Sequence, residues 1–142
     1  MPAEIKPQYV AEVTVTGGRD GHAKSSDGVL DVQIRRPKTN GVSDGTNPEQ
    51  LFGAAWGACF LGALGVVGKE SNTDVSEAKL NVEIGLGEDV TNGGSGLAAT
   101  ISLSVPGLET SQIEDLLEKA HAMCPYSKAT RGNVPVELIA LD

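Results

Sequence analysis

From Leu51 to Gly68 the chain carries no charged residue over 18 positions. A run of that length lies at the lower edge of what a transmembrane helix needs. It leaves a chain of 142 residues two choices: to cross a bilayer, or to fold a globular core around the run. Its composition favours the core. Gly53, Gly57, Gly62, Gly65 and Gly68, with Ala54, Ala55, Ala58, Ala63 and Cys59, make up more than half of it. Such a run is weakly apolar, and no aromatic belt or basic cluster flanks it. It predicts a long helix buried on most sides, whose small residues let other backbones come close. Asn47-Pro48-Glu49-Gln50 supplies its start, with Asn47 as cap, Pro48 at the first helical position and Gln50 able to bond back to the cap. The helix should run to about Glu70, before the polar Ser71-Asn72-Thr73-Asp74.

The remaining segments read as strands and one further helix. Tyr9 to Thr16 is rich in β-branched residues and runs into Gly17-Gly18-Arg19-Asp20-Gly21, a loop with Gly-Gly and Asp-Gly turn signals. A short strand follows around His22 to Ser25, then a turn at Ser26-Asp27-Gly28, then Val29 to Arg35 with Leu30, Val32 and Ile34 on one face. After the long helix, Ala78 to Ile84 and Leu97 to Val105 alternate with period two, with Asn92-Gly93-Gly94-Ser95-Gly96 as the turn between them. Ser111-Gln112-Ile113-Glu114 reads as a capping box, and Ile113, Leu116, Leu117, Ala120 and Cys124 then fall at helical spacing until Pro125. A short turn or helix through Arg131 leads to a last strand, Val134 to Leu141. The order βββ-α-ββ-α-β has no long strand-helix alternation, so it predicts an α+β fold with a mostly antiparallel sheet packed on the long central helix, as one domain over residues 1–142.

Charge and cysteine usage narrow the chemistry. Nineteen Asp and Glu against 11 Lys and Arg give a net charge of -8, which repels phosphate backbones and anionic lipid heads and disfavours nucleic-acid and membrane partners. Met1 to Gln8 lacks the basic and apolar regions of a signal segment, which points to a cytoplasmic, reducing setting. In that setting Cys59 and Cys124 are either inert core residues or a redox pair. Both fall on apolar helical faces, and two such faces in one small core tend to meet. An apolar site raises a thiol pKa, and a helix C-terminus, where Cys124 sits, also disfavours a thiolate. Cys59 is therefore reactive only if a cation reaches it. Of Arg19, Arg35, Arg36 and Arg131, Arg19 stands out because its glycine-flanked loop can aim it inward. Zinc on His22, Cys59, His121 and Cys124 has no paired-ligand spacing behind it. There is no GxSxG and no phosphate loop.

Five blocks taken together carry a family resemblance: Gly17-Gly18-Arg19-Asp20-Gly21, Ser25-Ser26-Asp27-Gly28, Thr46-Asn47-Pro48-Glu49-Gln50-Leu51-Phe52, Ala58-Cys59-Phe60 and Cys124-Pro125-Tyr126-Ser127-Lys128-Ala129-Thr130-Arg131-Gly132-Asn133. In this order, and across nearly the whole chain, they resemble the organic hydroperoxide resistance (Ohr) branch of the OsmC/Ohr family. The resemblance implies an intertwined homodimer that acts as a thiol peroxidase on organic hydroperoxides. It implies that Cys59 is the peroxidatic cysteine and Cys124 the resolving one, that Arg19 stabilises the Cys59 thiolate, and that Glu49 pairs with that arginine. It implies as reductant the dihydrolipoyl group of a lipoylated protein, with no metal and no bound organic cofactor. From the residues alone, two other readings stay open: a module that binds hydrophobic ligands and whose cysteines only pack, and a redox sensor that signals through a partner.

Overall fold

The computed structural model describes residues 1–142. The elements are β1 (Val13–Thr16), β2 (Gly21–Ser25), β3 (Asp31–Ile34), α1 (Pro48–Glu70), β4 (Lys79–Glu88), β5 (Ser95–Ser104), α2 (Thr110–Met123), α3 (Pro125–Thr130) and β6 (Val136–Leu141). The predicted α+β order βββ-α-ββ-α-β holds, with α3 as the short helix after Pro125. The strands form two three-stranded sheets, ordered β1-β2-β3 and β4-β5-β6. The chain divides into two compact units, Met1–Pro48 and Glu49–Asp142.

The first unit is an antiparallel meander. Thr16 pairs with His22 and Val13 with Ser25, and β2 pairs in turn with β3 from Gly21↔Ile34 to Lys24↔Asp31. β1 is shorter than the predicted Tyr9–Thr16 because β2 ends at Ser25; only the Ser26 N–H reaches one residue further, to the Glu12 carbonyl at 2.9 Å. Tyr9 and Val10 have no strand opposite them and lie exposed. The turn after β2 forms as predicted. The Asp27 carboxylate accepts the Ser25 hydroxyl (2.6 Å) and the Val29 N–H (3.0 Å), which hold its pKa below the usual carboxylate value. Val29 is spent in this turn, so β3 begins at Asp31. Beyond β3 the chain loops round to lie beside it in a parallel bridge at Ile34↔Thr46: the Arg35 N–H donates to the Thr46 carbonyl (2.7 Å) and the Thr46 N–H to that of Gln33 (2.9 Å).

In the second unit, α1 covers its predicted span. It is long and apolar enough to cross a membrane, yet one face, with Trp56, Phe60, Ala63, Leu64 and Val67, is packed into the core. Gly53 and Gly57 let β4 lie close on it: a Cβ at Gly57 would stand 3.3 Å from the Val82 Cγ2. β4 and β5 pair over ten positions, from Lys79↔Ser104 to Glu88↔Ser95. The hairpin turn therefore sits earlier than predicted, and Ser95 and Gly96 are strand residues. Asp89 organises the turn by accepting the Thr91 and Asn92 N–H groups at 2.9 Å each. β6 runs parallel to β5 (Ala99↔Val136 to Ser104↔Leu141) because α2 and α3 carry the chain back before it enters the sheet. Among the pairings of the named strands this is the one outside the antiparallel pattern.

α2 starts two residues earlier than expected, with its cap at Glu109 rather than Ser111. Its capping box is Glu109 with Gln112, the Gln112 side chain accepting the Glu109 N–H at 2.9 Å, in place of Ser111 with Glu114. The stripe of Ile113, Leu116, Leu117, Ala120 and Cys124 is buried as predicted and meets Ile101, Leu103 and the α1 face in one cluster. Truncating Leu103, which is fully buried, to alanine should cost about 2–5 kcal/mol of unfolding free energy in urea. The same change at exposed Leu86, on the facing strand of the hairpin, should cost under about 0.5 kcal/mol.

Candidate active site

The second unit brings the two cysteines together. Cys59 lies midway along α1 and is partly buried; Cys124 is fully buried. Cys124 belongs to neither helix but joins them. Its N–H donates to the Ala120 carbonyl at 2.8 Å to end α2, and its carbonyl accepts the Lys128 N–H at 2.9 Å to begin α3. It therefore faces the negative end of one helix and the positive end of another, so the dipole argument made from α2 alone is incomplete. Both thiols are free, and the Cys124 side chain stands close enough to that of Cys59 to act on its titration.

The chain fixes this meeting from both sides. Trp56 is three residues before Cys59, Ser127 three after Cys124, and the Trp56 indole N–H donates to the Ser127 hydroxyl at 3.0 Å with both residues fully buried. Phe52 packs on Trp56 one turn earlier, with ring centroids 5.5 Å apart. Pro125 at the first position of α3 has no N–H to offer, so the first free helical donor is that of Tyr126, which acts to lower the Cys59 pKa. Phe60 lies against the ring of His121, centroids 6.4 Å apart, and Arg131 donates to the His121 carbonyl at 2.7 Å. Burial and the Arg131 charge push the His121 pKa down.

Burial pushes the Cys59 thiol pKa up, the Tyr126 N–H pulls it down, and the neighbouring Cys124 pushes it up again. The net shift is upward. Within this unit, the groups that act on Cys59 include no cation, and a neighbouring cation is one of the features that lower a thiol pKa.

The other two predicted residues are placed as follows. Glu49 stands in the first turn of α1, where a carboxylate suits the helix dipole. It is ten residues before Cys59 on the same helix, about 15 Å along the axis. Arg19 lies in the turn between β1 and β2, in the first unit, and is half-buried. His22, one of the residues weighed for zinc, is engaged by Asp31 at 2.5 Å. Sequence reasoning gave Ser127 and the Tyr126 backbone no role. Ser127 follows Cys124 at the i, i+3 spacing that puts both on one side of the chain, which was the available signal.

Comparison with known proteins places this geometry in context. A family model described as OsmC-like protein matches residues 41–139. The chain is 41% identical over 141 residues to the organic hydroperoxide resistance protein of Xanthomonas axonopodis pv. citri, covering 97% of this chain and 98% of that one. It is 45% identical over 132 residues to the organic hydroperoxide resistance protein OhrB of Bacillus subtilis, covering 92% and 96%. The crystal structure of an organic hydroperoxide resistance protein from Elizabethkingia anophelis superposes with a TM-score of 0.86 at 41% identity, over 97% of this chain and 99% of that one.

The Trp56–Ser127 bond generates a prediction. Ser127→Ala strands a buried indole N–H and should lower unfolding free energy by about 1–3 kcal/mol. It should also slow closure of a bond between Cys59 and Cys124 after mild oxidation, read by loss of free thiols. Unchanged stability and closure would mean that the bond does not set the alignment of α1 and α3.

Proposed function

The chain belongs to the OsmC/Ohr family, in its organic hydroperoxide resistance branch, and from that premise we propose that it is a cysteine-based peroxidase that reduces organic hydroperoxides to alcohols and protects against organic peroxide stress. The observation that carries the reading is the meeting of the two free thiols, with Cys124 close enough to act on Cys59 where α1 and α3 come together. Two relatives, of 41% and 45% identity, bear the name of organic hydroperoxide resistance proteins.

The chemistry follows from the two positions. The Cys59 thiolate attacks a peroxide oxygen of ROOH; the O–O bond breaks, ROH leaves with a proton, and Cys59 becomes a sulfenic acid. The Cys124 sulfur then attacks the Cys59 sulfur, water leaves, and a Cys59–Cys124 disulfide forms, which keeps Cys59 from irreversible over-oxidation. A dithiol reopens the disulfide by exchange and is itself oxidised to a disulfide. The dihydrolipoyl group of a lipoylated protein is the proposed dithiol, and no metal or bound cofactor is invoked. Partial exposure suits Cys59 to the attacking role and full burial suits Cys124 to the resolving one. Because its own unit raises the Cys59 pKa, the thiolate needs a cation. Arg19 is assigned that part, with Glu49 holding the guanidinium. A cytoplasmic location would keep both thiols reduced between turnovers.

A homodimer is part of the proposal. β1 exposes Val13 and Val15, and the outer side of α1 exposes Leu61 and Val66 beside Gly62, with nothing near Gly62 in the single chain. Apolar surfaces of this kind call for a covering partner. With Glu49 and Cys59 about 15 Å apart on one helix, an antiparallel partner helix would bring the partner chain's copy of this carboxylate closer to Cys59.

Turnover with dihydrolipoamide and its reductase tests the reading. The wild-type chain should consume an alkyl hydroperoxide faster than hydrogen peroxide, and Cys59→Ser should be inactive. Cys124→Ser should reduce one equivalent and leave a trappable sulfenic acid at Cys59. Full activity in both variants would return the cysteines to packing residues, and a sulfenic acid trapped at Cys124 would reverse their roles. For the shared site, refolding Cys59→Ser chains together with Glu49→Ala chains should restore activity. Inactive heterodimers would mean that each chain builds its own site.

A further inference from the structure

The β1–β2 turn that carries Arg19 is built for tightness rather than stiffness. Gly17 and Gly18 both adopt left-handed backbone (φ 78° and 60°), and the Asp20 N–H closes onto the Gly17 carbonyl at 3.1 Å. A Cβ at Gly17 would come within 2.7 Å of the Gly21 Cα, so glycine is required there. Two consecutive glycines also leave a loop with much conformational freedom. The bearing of a long side chain at its tip therefore depends on how the turn itself is held.

Arg35 holds it. The Arg35 Nη1 donates to the Gly21 carbonyl at 3.0 Å and to the Ile34 carbonyl at 2.7 Å, and Nη2 donates to the Gln33 Oε1 at 3.1 Å. Its Nε lies 3.7 Å from the Asp20 carboxylate and 4.0 Å from that of Asp44. These two ion pairs are exposed and contribute little by charge alone; the carbonyl bonds give the direction. The stem is held as well: Gly45 lies so close that a Cβ there would fall 2.7 Å from the Arg35 Cγ. One guanidinium thus ties the two residues that follow Arg19 to β3 and to the Asp44–Thr46 segment, all within the first unit. The sequence alone gives Arg35 no part in the chemistry. Neighbouring Arg36 is exposed.

We propose that Arg35 is a positioning residue for Arg19: its forked contacts to Asp20 and Gly21 fix the glycine turn so that the Arg19 guanidinium is presented in one orientation. The proposal rests on the reading of Arg19 as the cation that activates Cys59. Arg35 acts only through Arg19, and a lysine cannot replace its fork of donors.

The test is the pH profile of Cys59 alkylation by iodoacetamide in the reduced full-length chain, followed on the Cys59 peptide. Arg19→Ala should move the profile to higher pH. Arg35→Ala should move it the same way by about half a unit, a roughly threefold slower reaction at pH 7. Arg35→Lys should fall between Arg35→Ala and wild type, and Arg36→Ala, which removes the same charge, should leave the profile in place. The double variant Arg19→Ala/Arg35→Ala should match Arg19→Ala alone. If Arg35→Ala does not fold, Arg35→Gln, which keeps one donor to the turn, carries the same comparison. A profile for Arg35→Ala that coincides with wild type while Arg19→Ala shifts would overturn the positioning role and leave the Arg19 reading standing. An additive double variant would also overturn it, because Arg35 would then act by its own charge. An Arg19→Ala profile identical to wild type would remove the Arg19 reading, and the role of Arg35 with it.

Discussion

The buried bond from the Trp56 indole to the Ser127 hydroxyl is the contact on which the candidate site turns. An indole N–H can only donate, and once buried without a partner it destabilises the fold by about 1–3 kcal/mol. The core around Trp56 is apolar, so Ser127 fixes where the indole must point, and with it the position of α1 relative to α3. Cys59 and Cys124 each lie three residues from one end of that bond. A slip of α1 by one residue would turn Cys59 away by about 100° and separate the thiols. The alignment that satisfies the indole is the alignment that pairs the sulfurs.

That pairing brings an electrostatic cost. The packing that holds Cys59 against Cys124 also removes it from water, and the neighbouring sulfur adds to the upward push on its pKa. The Tyr126 N–H at the start of α3 opposes these effects without outweighing them. An upward shift of this kind disfavours the thiolate, the form that peroxides oxidise. In the proposed mechanism the reactivity of Cys59 depends on a charge delivered by a side chain from elsewhere. This dependence makes a loop arginine, and whatever orients it, the control point of the proposed chemistry.

Most of this architecture is legible in the sequence because it rests on periodicity and punctuation. The uncharged run from Leu51 to Gly68, with the start signal Asn47-Pro48 before it and the polar Ser71 after it, marks α1 to within a residue, and the stripe from Ile113 to Cys124 marks the buried side of α2. What failed to read were features decided by a distant partner. β1 lost its first residues because β2 stops at Ser25, and the β4–β5 turn moved because ten consecutive pairs leave Ser95 and Gly96 inside the strand. The α2 cap moved to Glu109, where the preceding loop places the chain. The direction of β6 depends on the route of α2 and α3 and has no local signature. At the site, the two cysteines can be found from their helical faces, and Arg19 from its glycines. Ser127 and Arg35 cannot be found this way, because a serine in a short helix and an arginine after a strand acquire meaning only from what lies opposite them.

The central claim is that Cys59 and Cys124 form one redox couple. Peptide mapping without reductant, after addition of one equivalent of an alkyl hydroperoxide to the reduced wild-type chain, tests it directly. The account predicts the loss of both thiols together and a single cross-linked pair joining the Cys59 peptide to the Cys124 peptide within one chain. Recovery of both thiols unmodified, or of Cys59 oxidised to sulfinic acid beside an intact Cys124 thiol, would contradict it.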